Sequence, residues 1–321
     1  MRAAIISEYQ TAPVAGDRPA PSPGEGKALV EMRAAALNPA DPAIASGSFP
    51  FGSPPLPYVP GIEGVGTVVE SVRFAPGTRV WASGRGLGIG IDGTFAEQFA
   101  APEEVLVEVP AGADDLVAAA IGVAGLAGWL PLAWLAPVRP GESVLVLGAS
   151  GNVGSVAVQA AKILGAGRVV AVGRDAGRLA RARELGADDT VELGGDDFRE
   201  RLAAAMDGAA PTLVLDALWG VPVEAAAAVA APGARIVHVG QSAGPSATLL
   251  SGLVRGKQLQ ILGYSNFAVP QDAVAQGYTD LVEHAIAGRI AVDVETVPLE
   301  EVAGAWARQV QGAGPKLVLV P

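Results

Sequence analysis

Gly148, Gly151 and Gly154 punctuate the stretch GASGNVG, which follows the apolar run Ser143–Leu147 and precedes the helical-period run SVAVQAAKIL. A glycine-rich turn between strand and helix lets the backbone approach a pyrophosphate, and the free N–H groups at the helix start add donors and a positive dipole end. That chemistry points to a dinucleotide held by Gly148, Ser150, Gly151, Asn152, Val153 and Gly154. A glycine-rich turn without a ligand is the plainer alternative, and the strand–turn–helix context argues against it. Roughly twenty residues past the glycines, the spacing at which such sites read the ribose, the next strand ends Val170-Ala171-Val172-Gly173-Arg174-Asp175. An NAD site wants a carboxylate at this tip to accept from the ribose hydroxyls. Gly173 has no side chain, whereas Arg174 and, one helical turn on, Arg178 offer charge-assisted hydrogen bonds to a 2′-phosphate. The expected cofactor is NADPH. Two alternatives stay open: the arginines as a solvated helix face, and Asp175 reaching the ribose through a different turn.

Such a loop needs a parallel sheet behind it, and the chain after Pro140 has the pattern of one. Strands are expected at 143–147, 168–172, 189–192, 212–216, 235–239 and 258–262, with alanine-rich helices at 153–164, 176–185, 198–206 and 223–229. Six strands alternating with helices make a doubly wound α/β sheet whose ligand crevice opens beyond the strands' carboxyl ends; Gly240 and Gln241 follow the fifth strand there. Earlier in the chain, runs at 27–32, 65–72, 79–82 and 95–100, each bounded by Gly or Pro, read as a mostly β, barrel-like domain. A helix near 272–287, a strand near 292–297, a helix near 299–309 and a last strand at 316–320 resemble that domain again. It is therefore expected from both chain ends, 1–117 and 264–321, with the cofactor domain at 118–263.

Composition removes other chemistries. With 321 residues, half of them apolar and 17% charged, the chain reads as two folded domains and not as a disordered one. A balance of 22 basic against 33 acidic residues, net −11, repels phosphate backbones and anionic lipid, so no nucleic acid and no membrane partner is expected. There is no cysteine, and His238 and His284 are the only histidines. Thiolate metal sites, cysteine nucleophiles and multi-histidine metal clusters fall away together. The uncharged run 116–138 is long enough to cross a bilayer, but Gly122, Gly125, Gly128 and Pro131 break it and no polybasic flank follows. A buried helix or helix pair is expected instead. The opening MRAAIISEYQ reads as a first strand of a cytoplasmic protein.

The order of motifs LNPAD (37–41), VPGIEGVG (59–66), RVWA (79–82), GTFAEQ (93–98), GASGNVG, ELGADD (184–189) and PKLVLV (315–320) resembles the medium-chain dehydrogenase/reductases, in particular their zinc-independent quinone oxidoreductase branch. The resemblance implies a Rossmann domain with a six-stranded sheet, a GroES-like partly open barrel built from both chain ends, and hydride transfer from NADPH to a quinone or α,β-unsaturated carbonyl without metal. Where zinc-dependent relatives place a cysteine ligand this chain has Asn38, and where they have the histidine of G-H-E it has Ile62. The later cysteine ligand falls near 122–124, and the four-cysteine structural lobe is missing. Two departures stand inside the branch: a usual Gly-Leu-Thr-Ala segment is Gly125-Leu126-Ala127-Gly128, and the tyrosine donor of related enoyl reductases is replaced by Phe49.

Within that frame Asn38 and Asp41 are candidates to orient substrate or cofactor ribose, with turn and helix capping as the alternative. Phe49, Tyr58 and Trp81 are candidates for a flat apolar wall, with core packing as the alternative. Tyr264, after the last sheet strand, is a possible proton donor, Glu63 is read as structural, and the two histidines as packing or surface residues. The expected partner is a small electrophilic acceptor. A 2-enoyl thioester reductase and a non-catalytic NADPH-binding redox sensor are the other readings. The uncharged edge strand LQILG predicts a homodimer through the Rossmann sheet.

Overall fold

The computed structural model describes every residue except Phe51 and Ala313. The chain begins with strands β1 (Arg2–Ile5), β2 (Val14–Asp17) and β3 (Lys27–Ala36), helix α1 (Ala40–Ala45), then β4 (Glu63–Glu70), β5 (Arg79–Ser83), β6 (Gln98–Pro102) and β7 (Leu106–Glu108). Helices α2 (Asp115–Ala120) and α3 (Val123–Leu130) follow. Next come β8 (Ser143–Leu147), α4 (Asn152–Ile163), β9 (Arg168–Gly173), α5 (Ala176–Glu184) and β10 (Asp189–Glu192). The alternation continues through α6 (Phe198–Ala205), β11 (Leu213–Asp216), α7 (Gly220–Val229), β12 (Arg235–His238), α8 (Ser251–Lys257) and β13 (Gln260–Gly263). The last elements are α9 (Gln271–Ile286), β14 (Val294–Pro298), α10 (Val302–Gln311) and β15 (Lys316–Val320).

Two compact units result, against expected boundaries at 117 and 263. One comprises Met1–Ala124, Tyr278–Ile286 and Val292–Pro321, the other Gly125–Gly277 and Ala287–Ala291. In the first, the sheet runs β14-β15-β3-β4-β5-β7, with β6 paired to β3 and β1–β2 a separate ribbon. The last strand, β15, lies antiparallel to β3 and parallel to β14, so the two chain ends share one sheet. Ile6, Met32, Phe95, Phe99 and Trp306 fill its core.

The second unit is the doubly wound sheet β10-β9-β8-β11-β12-β13, parallel throughout. Every residue of β8 is buried, which is why SVLVL reads as a continuous apolar run and not an alternating one. The strand order reverses between β8 and β11, the place where such sheets open a ligand crevice.

Two local differences from the expected elements, both at α8 and its exit, have physical causes. Helix α8 has no buried residue and carries Gly252 and Gly256, so neither apolar periodicity nor propensity announces it. Gln258 ends it in the left-handed conformation at φ 53°, which delays β13 to Gln260. The uncharged run 116–138 breaks at Gly122, where a Cβ would run into the Glu63 carboxylate and lie 2.9 Å from Trp81 Cε2. It forms α2, α3 and a π-turn at Pro131–Leu135. No helix among the described residues is long and apolar enough to cross a membrane.

Candidate functional site

The glycine loop sits at the carboxyl edge of β8. Gly148 turns at φ +88°, and the amides of Gly148 and Ala149 both donate to the Val172 carbonyl, at 3.0 and 2.8 Å, tying the loop to β9. Gly151 starts α4 as its N-cap and donates to the Gly148 carbonyl at 3.0 Å. The first-turn amides, from Asn152, Val153 and Gly154, have no intrahelical acceptors and are available to an anion. At Gly154 a Cβ would land on the Gly148 carbonyl oxygen and lie 2.6 Å from Ala149 Cα, so only glycine lets helix and loop close on each other.

The tip of β9 meets this loop directly. A Cβ on Gly173 would run into Ser150 Oγ, a buried hydroxyl with no hydrogen-bond partner among the described residues, and would lie 3.2 Å from Leu179. Arg178 donates from Nη1 to the Ser150 carbonyl at 2.8 Å, so its guanidinium lies against the loop, while Arg174 is exposed. Asp175 caps α5 by accepting from the Arg178 amide at 2.8 Å, and that bond holds its carboxylate at the helix start. Gly240 and Gln241 follow β12; a Cβ on Gly240 would lie 3.1 Å from the Ala217 carbonyl, and Gln241 is exposed.

Beside them is a constellation that the sequence reading left as packing. His238 ends β12 in register with Asp216 of β11, its Nδ1 3.5 Å from Asp216 Oδ2. Asp216 is fully buried and accepts from the amides of Leu218 and Trp219, both at 2.9 Å. Burial pushes its carboxyl titration up, against those two amides and the imidazole. Trp219 holds φ +57° and tilts its ring over the imidazole at 4.2 Å.

Tyr264 donates its hydroxyl to Asn266 Oδ1 at 2.6 Å, with the Leu126 carbonyl at 3.4 Å. Burial raises its titration, so it stays protonated at neutral pH.

The first unit encloses a second cluster of polar groups. Asn38, Asp41, Glu63 and Lys316 are each at most 2% exposed. Asp41 Oδ2 accepts from the Asn38 amide at 2.7 Å and Oδ1 from the Ile62 amide at 3.1 Å. Asn38 donates from Nδ2 to Glu63 Oε1 at 2.7 Å and accepts at Oδ1 from Lys316 Nζ at 2.6 Å. Glu63 Oε2 accepts from Trp81 Nε1 at 3.1 Å and from the Val123 amide at 2.6 Å. Burial pushes Asp41 up to about 7, raises Glu63 and lowers Lys316. Asn38 and Asp41 are thus brought together, with their polar atoms turned inward on each other and on Glu63.

The expected aromatic wall is not formed. Trp81 is 1% exposed and stacks on Tyr278, centroids 4.4 Å apart and planes within 10°. Tyr58 is held in the core by paired backbone bonds to Ile6 at 2.9 and 3.0 Å. Phe49 packs elsewhere, against Ile44, Ile62 and Ile89. For Trp81 and Tyr58 enclosure by their own domain wins over display to a ligand, while Phe49 is half-buried. Lys316 is the group the sequence reading missed. Its signal was a lysine opening an otherwise apolar terminal strand.

Among the described residues no group of three or more His, Cys, Asp or Glu is placed to hold a metal ion. The donor set fits one poorly for a further reason: Lys316 already puts a positive charge 3.8 Å from Glu63 Oε1.

Residues 24–111 match the model of the alcohol dehydrogenase GroES-like domain, and residues 152–283 that of the zinc-binding dehydrogenase family. An alcohol dehydrogenase of Rhizobium meliloti is 32% identical over 240 residues, 67% of this chain and 69% of that one. A phenolphthiocerol synthesis polyketide synthase of Mycobacterium marinum is 33% identical over 220 residues, 68% of this chain and 10% of the synthase. This chain thus spans about a tenth of that relative's length. A mycobacterial quinone oxidoreductase structure aligns over 100% of both chains with TM-score 0.87 and 25% identity. The two family matches, the alcohol dehydrogenase covered over more than two thirds of its length and the shared fold make this chain a member of the medium-chain dehydrogenase/reductase superfamily.

Proposed function

We propose that the protein is an NADPH-dependent, metal-independent reductase that delivers a hydride to a quinone or an α,β-unsaturated carbonyl. The observation that carries this reading is the tip of β9: a glycine where a ribose-binding carboxylate would stand, Asp175 engaged as a helix cap, and Arg178 beside the loop with Arg174 exposed next to it. Two guanidinium groups and no free carboxylate favour a 2′-phosphate. Gly151, Asn152, Val153 and Gly154 would hold the pyrophosphate with backbone donors. Bound there, the reduced nicotinamide supplies a hydride. A quinone accepts it as a stabilised anion that water protonates, so the fully engaged Asn38 and Asp41 and the hydrogen-bonded Tyr264 hydroxyl need not give up a proton. An unactivated ketone would want a Lewis acid, for which the Asn38–Glu63–Lys316 cluster is unsuited.

An enoyl thioester is a second acceptor class, favoured by the polyketide synthase relative and opposed by Phe49, which brings no hydroxyl. NADPH oxidation by the purified protein against quinones, enones and enoyl thioesters tests the reading and ranks the acceptors. Tight NADPH binding with no oxidation by any of the three would replace the enzyme with a redox sensor. The same reading includes a homodimer: among the described residues β13 pairs with β12 alone, and Gln260, Ile261 and Gly263 are exposed.

A further inference from the structure

Three donors converge on one buried carboxylate. Asn38 Nδ2, Trp81 Nε1 and the Val123 amide all point at the two oxygens of Glu63, within 3.1 Å. A protonated carboxyl would bring a hydrogen of its own and find no acceptor among the three, so these donors favour the ionised form. An isolated buried carboxylate is strongly disfavoured and takes up a proton unless a counter-ion stands by. Lys316 Nζ fills that place, 3.8 Å from Glu63 Oε1. It also supports the way Asn38 faces: an ammonium has only donors, so it takes Oδ1, while Nδ2 donates to Glu63 and, at 3.1 Å, to the Ala36 carbonyl.

Other charged and titratable groups approach the cluster from each neighbouring element. Asp41 of α1 adds a second carboxyl. Tyr278 of α9 stacks on Trp81 and gives its hydroxyl to the Ala118 carbonyl at 3.2 Å, and the Arg79–Asp115 pair lies beyond it. Tyr58 has a buried hydroxyl with no partner among the described residues; burial raises its titration and Asp41 raises it further. Lys316 is the cation bonded into the cluster.

We propose that Lys316 is a positioning residue, the internal counter-ion that keeps Glu63 ionised and Asn38 turned and thereby fixes Val123, the first residue of α3. The lysine replaces, within the protein's own chain, the cation that the centre would otherwise have to recruit. The proposal does not depend on the reductase reading, and the experiment keeps the two apart.

Lys316→Ala removes three methylenes and the ammonium, leaving room for propylammonium. Hydrogen exchange at the Val123 amide and the thermal midpoint are measured from pH 5 to 9, with propylammonium chloride, with 1-propanol and with sodium chloride; NADPH oxidation is followed in parallel. Losing a charged hydrogen bond should speed exchange at Val123 about ten- to a hundredfold. Propylammonium should restore protection and 1-propanol should not. In the variant, protection should also return as pH rises and Glu63 ionises, a limb absent from the wild type. Wild-type exchange at Val123 in Lys316→Ala, or equal rescue by 1-propanol, overturns the proposal. If the variant does not fold alone, refolding with each additive decides: recovery with the amine alone supports the counter-ion, recovery with both or neither refutes it. A wild type inactive on every acceptor would sink the reductase reading and leave the exchange result standing.

Discussion

Two glycines of one loop should fail in opposite ways when replaced by alanine. At Gly154 the added carbon would overlap the Gly148 carbonyl oxygen and stand 2.6 Å from Ala149 Cα and 2.7 Å from Gly148 C. All three are backbone atoms with no rotamer to escape into, so β8 and α4 must move apart. Overpacking of this kind costs about 2–3 kcal/mol. In a unit of this size that is roughly 4–12 °C in Tm. At Gly151 the nearest atom to the new carbon is the Gly148 carbonyl oxygen at 3.5 Å, ordinary contact, and φ is −92°, open to any residue. Gly151→Ala should therefore fold with nearly wild-type stability. Its Cβ would instead stand where a pyrophosphate must approach the backbone, and a loss of about 1.4–3 kcal/mol, ten- to more than a hundredfold in NADPH affinity, is expected. Scanning calorimetry of both variants without cofactor, followed by fluorescence titration with NADPH, separates the outcomes. If Gly151→Ala binds NADPH as tightly as wild type, or if Gly154→Ala unfolds at the wild-type temperature, the assignment of this loop is wrong.

Removing Arg178 or Arg174 by alanine should weaken NADPH about tenfold and leave NADH nearly unchanged; equal affinities of the wild type for the two cofactors would contradict the reading of Gly173 and Arg178. Activity should survive exhaustive chelation and gain nothing from zinc, and metal analysis showing stoichiometric zinc with activity lost on its removal would overturn it. Asp41, held at about 7 against an ordinary 3.8, keeps in the folded state a proton that the unfolded chain gives up. That contribution is complete below pH 3.8 and is lost as pH rises to 7, so wild type should lose up to about 4 kcal/mol relative to Asp41→Asn over that window. Urea unfolding of both proteins from pH 4 to 8 checks this, a constant difference counting against it. Ile261→Pro should be monomeric by light scattering beside a dimeric wild type; a monomeric wild type, or a folded proline variant that still dimerises, removes the β13 interface.

The cofactor unit was legible because its parallel strands are buried on both faces and so appear as unbroken apolar runs, each followed by glycine or a capping residue. Leu145 and Val146, Val170 and Val172, and Val214 and Leu215 need no long-range information to be recognised. Asn38 and Asp41 were recognised as polar residues of interest, but not the direction they face. For Asn38 it depends on Glu63 and on Lys316, 25 and 278 positions away in the chain, and for Asp41 partly on the Ile62 amide, pairings that no local pattern carries. The aromatic residues failed for a related reason. Trp81 looks the same in sequence whether it lines a pocket or stacks on Tyr278, because its partner lies on a helix almost two hundred residues away.

The same cluster explains why Asp41 titrates near neutrality. Asp41 and Glu63 together would carry two negative charges, and Lys316 supplies one positive charge, so complete ionisation would leave one charge unbalanced in a region closed to water. Glu63 faces three donors and the ammonium; Asp41 faces two backbone amides and lies farther from full compensation. The spare proton therefore belongs on Asp41, which agrees with the carboxyl pushed up to about 7. A divalent cation in the same enclosure would balance both carboxylates and pull both titrations down. Asp41 thus reports the charge of the resident cation: its titration should fall if that charge is raised and climb further if Lys316 is removed.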